Sequence, residues 1–251
     1  MELEIWIILL LCLAYFSAGF IDSIAGGGGL ISVPALLIAS VPPELAIPTN
    51  KMASTSGTAA SLITYAQKGY VIWKLLIAGL PMAILGGVIG SKLMLLTDSK
   101  TLTNIIMLIL PLVIIAVLIP KKSNPCATEL TPKALYIYNP IICLLIGIYE
   151  GFFGPGTGTF YILALSFFLK LNFLNASASA KLFNLSAGLS ALAIFLWHGN
   201  VIIWLGFPLA VANIAGNITG TKLAIKIGAP LIKKILLVSV SLLMISLAFN
   251  P

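Results

Sequence analysis

Long apolar runs alternate with short polar or glycine-rich breaks along this chain, and the breaks recur in the same order in its two halves. The first half reads as apolar segments at roughly 4–21, 28–41, 49–66, 71–96 and 102–119. The second reads as segments at roughly 134–152, 157–169, 177–197, 201–224 and 231–249. Almost any window of about 20 residues is apolar, the length a helix needs to cross a bilayer. The second segment of each half is too short for that. Helix over 157–169 would reach about 20 Å, against a hydrocarbon core of about 30 Å. These short segments are expected to be half-helices, each paired with the next segment as a re-entrant hairpin.

The halves align at a shift of about 128 positions early and about 130 later. Gly19 then meets Gly147, Asp22 meets Glu150, Gly26 meets Gly154 and Gly28 meets Gly156. Beyond a small insertion Lys51 meets Lys181, Tyr65 meets Phe195, Gly69 meets Gly199, Gly86 meets Gly216 and Gly90 meets Gly220. So long a run of matches at one shift points to internal duplication. An odd number of crossings per half turns the second half upside down. With the N-terminus outside, Lys68, Lys74, Lys121, Lys122, Lys133, Lys222, Lys226, Lys233 and Lys234 fall at cytoplasmic ends, and only Lys92 and Lys100 at outer ends. Lys170 would sit at a hairpin tip. The expected fold is an all-α polytopic membrane protein: two inverted-topology repeats of about five helical segments each, with short broken or re-entrant helices meeting near the membrane midplane. Residues 1–119 form the first transmembrane repeat, 120–133 a cytoplasmic linker and 134–251 the second, inverted repeat. Both termini are expected outside the cell membrane.

Composition narrows the class. Hydrophobic residues make up 60% of the 251 and charged residues 8%, against roughly 25% charged in soluble domains. Mean hydropathy is +1.12. The net charge of +7 comes from lysine alone, and those lysines cluster in short loops, so topology explains them and nucleic acid is not an expected partner. Cys12, Cys126 and Cys143 lack metal-ligand spacing, and no metal or cofactor is expected. Glu2 and Glu4 stand where a signal peptide would be basic, and the first segment has a counterpart in the second half, so it is expected to belong to the fold.

The candidate chemistry follows the repeat: an acid, a glycine break, then a lysine, twice. Asp22 precedes Gly26–Gly29, and Glu150 precedes Gly154-Pro-Gly156-Thr-Gly158. At hydrocarbon depth such glycines permit non-helical backbone that lines a cavity, which marks Gly26, Gly28, Gly154 and Gly156. Neither run continues as a phosphate loop or sits in a βαβ unit. Lys51 follows Pro48-Thr49-Asn50, read as a helix start, and Lys181 follows Asn175-Ala-Ser177 in the same way. A lysine beside a mid-membrane helix N-terminus would make an anion site. Lys51, Ser54, Thr58 and Ser61 then share one helix face, matched by Lys181, Asn184, Gly188 and Ala191. The substrate-binding set is therefore Thr49, Asn50, Lys51, Ser54, Ser177, Lys181 and Asn184, with Asp22 and Glu150 as candidate proton carriers. The bland alternatives are lysines snorkelling to the headgroups, or within-half pairs of Lys51 with Asp22 and Lys181 with Glu150. Glu44 reads as a hairpin-tip residue. Gly86, Gly90, Gly216 and Gly220 read as helix-packing positions, His198 as a turn residue, and Trp73, Trp197 and Trp204 as interface anchors.

These residues resemble the sulfite exporter TauE/SafE family of membrane transporters. The likeness rests on Gly19-Phe-Ile-Asp22-Ser-Ile-Ala-Gly-Gly-Gly-Gly-Leu30-Ile-Ser-Val-Pro34, Ala46-Ile-Pro-Thr-Asn50-Lys51, Tyr65-Ala-Gln-Lys-Gly69 and Gly151-Phe-Phe-Gly154-Pro-Gly156-Thr-Gly158. It implies a two-repeat secondary carrier that exports or exchanges small anions such as sulfite or organosulfonates. Where the family pattern has Thr-Asn-Lys, the second half has Ser-Ala-Lys181, with Asn184 one turn later. The expected partners are a small anionic substrate and the lipid bilayer. The rivals are a drug/metabolite-type carrier of organic solutes and a passive anion channel. An intramembrane enzyme has no support, because no catalytic motif is present.

Overall fold

The computed structural model describes residues 4–102, 104–105 and 130–227. Its α-helices include α1 (Ile5–Ala25), α2 (Gly29–Ile38), α3 (Pro43–Gln67), α4 (Leu76–Leu95), α5 (Asn139–Phe152), α6 (Thr157–Phe168), α7 (Phe173–Trp197) and α8 (Ile203–Ile227). A short 3₁₀ turn, Trp73–Leu75, leads into α4, and a π-turn, Ala134–Tyr138, leads into α5. The described residues form no strand. Most of the segment expected at 102–119, the segment expected at 231–249, Cys126, and most of the linker lie outside the described residues.

Among the described residues, five stretches are long and apolar enough to cross a membrane: Ile5–Ala25, Trp73–Leu95, Ala134–Phe152, Phe173–Trp197 and Ile203–Ile227. α2 and α6, at about 15 and about 18 Å, are not. The radial distribution of polarity is the reverse of a soluble protein's. Leu9, Leu13, Ile77, Leu145, Phe207 and Val211 face outward, while Lys51, Lys181, Glu150, Asn213 and Asn217 are buried.

The backbone repeats along with the sequence. Gly26 and Gly154 are left-handed at φ 79° and 93°, Ser40 and Lys170 at 60° and 58°, and Gly69 and Gly199 at 74° and 71°. The small insertion falls in the second short helix, since α6 has 12 residues and α2 has 10. Two expected helix starts are corrected. The helix carrying Lys51 begins at Pro43, behind Pro42, because proline's fixed φ and missing N–H suit a first turn. Pro48 is consequently interior. The helix carrying Lys181 begins at Phe173, capped by Asn172, whose side chain accepts from the Asn175 N–H at 2.8 Å. Both lysines therefore lie about two turns inside their helices, away from the exposed N–H groups of a helix start.

Packing crosses between the halves. The most extensive contacts are α4 on α5 and α1 on α8. Small residues permit both. A Cβ on Gly86 would meet the Leu144 carbonyl oxygen and Ile148 nitrogen, and one on Gly90 the backbone of Ile148 and Phe152. On the other side Gly216 and Gly220 abut the backbone of Phe16 and Phe20. All four glycines thus pack helices, as expected, in the manner of small residues in membrane bundles. Trp73, Trp197 and Trp204 are exposed beside the turns, and His198 is exposed at the end of α7.

Candidate functional site

The two glycine breaks meet. A Cβ on Gly29 would lie 2.7 Å from the Pro155 Cα, and one on Gly158 would lie 2.5 Å from the Gly26 Cα. The contact is sewn by hydrogen bonds: Thr159 N–H donates to the Gly26 carbonyl at 3.3 Å, and its hydroxyl donates to the Ala25 carbonyl at 2.8 Å. Helices α1 and α5 end at this junction, and α2 and α6 begin there.

Asp22 and Glu150 occupy the last turns of α1 and α5. An acid there opposes the negative end of the helix dipole. A lysine from the other half offsets each one. The Lys51 ammonium donates to the Glu150 side chain at 2.8 Å and to its carbonyl oxygen at 2.6 Å. The Lys181 ammonium donates to the Asp22 side chain at 2.6 Å and to its carbonyl oxygen at 2.5 Å. Each cation thus satisfies a helix-end carbonyl and a carboxylate of the same residue. The within-half pairing is corrected: the ion pairs cross between the halves, because α3 and α7 each run past the end of the other half's first helix. Snorkelling is excluded as well, since Lys51 is 1% and Lys181 0% exposed.

A cross-half pattern recurs around the pairs. The Ile202 N–H donates to the Thr49 hydroxyl at 3.0 Å, and the Ile72 N–H donates to the Ser179 hydroxyl at 3.1 Å. These four residues correspond under the repeat alignment.

One side of the junction holds a polar cavity. It is lined by Asp22, Asn50, Lys51, Ser54, Thr55, Thr58, Glu150 and Asn184, and floored by Gly26, Gly29, Gly154 and Gly158. Its free space holds about one water molecule. Tyr15 donates its hydroxyl to Asn50 Oδ1 at 3.0 Å, fixing that amide. With its amide turned to donate, Asn184 places Nδ2 at 3.1 and 3.2 Å from the two Glu150 carboxylate oxygens.

The expected site residues divide on this geometry. Asn50, Lys51, Ser54, Asn184, Asp22 and Glu150 converge on the cavity with Gly26 and Gly154. Lys181 is near it but does not line it. Thr49 is engaged by Ile202, and the Ser177 hydroxyl donates to the Ile24 carbonyl at 3.3 Å. Gly28 offers its N–H to Asp22 Oδ1 at 3.4 Å, and Gly156 precedes α6 in a left-handed conformation. The polar face of α3 also divides: Thr58 reaches the cavity, whereas Ser61 sits 2.7 Å from the Thr221 hydroxyl. Sequence reasoning missed Thr55 and Tyr15. Thr55 carried a signal, lying one turn beyond Lys51. Tyr15 carried none, being one of several aromatics in an apolar run. Glu44, expected in the loop of the hairpin tip, sits instead in the first turn of α3, because that helix begins at Pro43.

Gly154 has no room for a side chain. A Cβ would stand 2.5 Å from Lys51 Nζ and 3.3 Å from Glu150 Oε2, at a φ of 93°. Gly154→Ala is expected to cost about 1–2 kcal/mol for the backbone alone and to push the ammonium off its partner. The thermal midpoint of purified protein should fall. An unchanged midpoint would refute the close packing.

Outward apolar faces, a buried charged interior and helices broken at a shared polar junction define a multi-pass membrane protein. Family comparison specifies it further. The family model described as Sulfite exporter TauE/SafE matches residues 11–247. The chain is 33% identical to a "Probable membrane transporter protein ORF9" from Sinorhizobium sp, over all of this chain and 95% of that one. It is 31% identical to a "Probable membrane transporter protein" from Haemophilus influenzae, over 95% and 93% of the two chains. It is likewise 31% identical to "Probable membrane transporter protein YfcA" from Escherichia coli K12, over 88% and 82%. This chain belongs to the TauE/SafE sulfite exporter family of membrane transporters. No solved structure matches it.

Proposed function

We propose that this protein is a secondary carrier that moves a small oxyanion across the cell membrane by alternating access, with its binding site in the cavity between the two glycine breaks. The observation that carries the reading is the convergence, at one buried junction, of the Lys51 ammonium, the Asn50 and Asn184 amides and the Ser54, Thr55 and Thr58 hydroxyls. Such a set of donors around a cation suits a sulfur oxyanion or a small carboxylate. Sulfite, organosulfonates and related anions are the substrate class, in line with the family description. The cavity is too small to hold such an anion as it stands, so binding requires the junction to open. Two halves inverted in the membrane supply a way to do that, one rocking against the other about the shared site. On this reading residues 1–119 and 134–251 are the inverted repeats, 120–133 is the cytoplasmic linker, both termini lie outside the inner membrane, and the protein is no enzyme. Asp22 and Glu150 are the acids available to carry protons.

The test is anion flux in proteoliposomes across a panel of sulfite, sulfate, thiosulfate, sulfoacetate and small carboxylates. At least one should show saturable flux that Lys51→Gln lowers by an order of magnitude or more. Flux that rises linearly with concentration would point to a channel. Transport of uncharged organic solutes, insensitive to Lys51→Gln, would point to a metabolite carrier.

A further inference from the structure

We propose that the two crossed ion pairs are not equivalent: the Glu150 carboxylate occupies the place of the substrate oxyanion and is displaced by it with uptake of one proton, whereas Lys181–Asp22 is a fixed strut. The inference rests on the oxyanion-carrier reading and assigns a coupling mechanism to its site.

The asymmetry is geometric. Lys51 and Glu150 both line the cavity, and Lys181 does not. Glu150 receives a donor that Asp22 lacks a counterpart of. Asn184 spans both carboxylate oxygens, while its repeat equivalent, Ser54, turns its hydroxyl to the Lys51 carbonyl of its own helix. A carboxylate held by an ammonium and an amide has the charge and the two-oxygen spacing that a bound oxyanion would present to the same donors. Thr55, Thr58 and Asn50 stand beside it in the same cavity. Free space for about one water leaves no room for an anion while that carboxylate stays in place. An anion that takes Lys51 and Asn184 must therefore push Glu150 aside.

The displaced carboxylate finds no other free cation among the described groups around it. α3 presents Lys51, now held by the anion. α1 presents Asp22, and α7 presents Lys181, which is engaged by Asp22. α6 contributes Tyr161, and its own helix contributes Tyr149, both within electrostatic reach. A bare carboxylate beside an acid and an anion in a dry site is strongly unfavourable. It takes up a proton from the bulk solution instead, where the buffer acid supplies it. The balance is one proton bound to a Glu150 oxygen for each anion bound at Lys51, with no other bond made or broken.

The experiment uses sulfate and methanesulfonate, which do not titrate between pH 5.5 and 8. Isothermal titration of detergent-purified wild type in buffers of different ionisation enthalpy should show about one proton taken up per anion. Affinity should then rise about tenfold per unit fall in pH. Glu150→Gln should bind at least as tightly as wild type does at low pH, with no proton uptake and no pH slope. No proton uptake by wild type, or loss of binding in folded Glu150→Gln, would each overturn the inference. The wild-type proton count decides the matter even if the variant fails to fold. Failure of wild type to bind either anion at any pH would instead overturn the oxyanion-site reading, and the inference with it.

Discussion

Lys51→Ala is expected to abolish saturable oxyanion transport and to lower stability by about 3–5 kcal/mol. Glu150 is 5% exposed and keeps only uncharged donors, among them the Asn184 amide, once the ammonium is gone. The helix-end carbonyl of Glu150 loses its donor at the same time. A buried carboxylate without its cation is among the costliest defects a core can carry. Removing both charges should behave differently. Lys51→Met combined with Glu150→Leu takes away the unpaired ion as well as its partner, and such apolar replacements of a buried pair are commonly neutral or stabilising. The double variant should therefore recover most of the lost thermal midpoint in detergent while flux in proteoliposomes stays at background. A double variant that transports would show Lys51 to be a structural tie and nothing more. A single variant as stable as wild type would contradict the buried pair itself.

Gly26→Val should be the most damaging substitution of a glycine, and Gly69→Val a mild one, although both positions are left-handed at φ 79° and 74°. The shared backbone penalty is about 1–2 kcal/mol. What separates them is the space around each Cα. Nothing lies within 4 Å of a Cβ on Gly69. A Cβ on Gly26 would overlap the Gly158 and Thr159 backbone of the other half, and backbone at a helix start cannot swing away as a side chain can. Relief requires the junction to part, which breaks both Thr159 hydrogen bonds and opens the floor of the cavity. Expression of monodisperse protein and its thermal midpoint measure the difference. Gly26→Val should fail to give folded protein or melt far below wild type, with Gly69→Val within a few degrees of it. Equal effects at the two positions would mean that conformation alone, and not the contact between halves, sets the need for glycine.

The fold class was legible in the sequence because membrane-spanning helices are written in composition and length. Hydrocarbon admits only backbones that satisfy their own hydrogen bonds, so an apolar run of the right length has few alternatives. Small residues at four-residue spacing identified Gly86, Gly90, Gly216 and Gly220 as packing positions for the same reason: spacing along one helix is a local property. The acid, break and lysine were visible as a repeated motif, and all the residues of the two ion pairs were marked.

Helix starts were less legible. Pro48-Thr49-Asn50 carries the residue types of a start, and so does Asn175-Ala-Ser177, yet Pro42-Pro43 and Asn172 take that role. A capping signal says that a helix can begin at a residue, and where several candidates stand in one turn or two, packing of the whole hairpin selects among them. Pro48 is tolerated inside α3 because that part of the helix is buried against its neighbours.

Sequence alone thus determined that the chain is a helical membrane protein, that its halves carry matching motifs, and that two lysines and two acids sit at breaks in apolar sequence. Only the tertiary structure decided which lysine meets which acid. Lys51 reaches Glu150 across 99 positions and Lys181 reaches Asp22 across 159. Periodicity orders residues on one helix surface, whereas partners across an interface depend on which helices pack and at what height. Here α1 packs on α8 and α4 on α5, so each half closes on the other, the two breaks touch, and a cavity opens that both members of one ion pair line and only the acid of the other reaches.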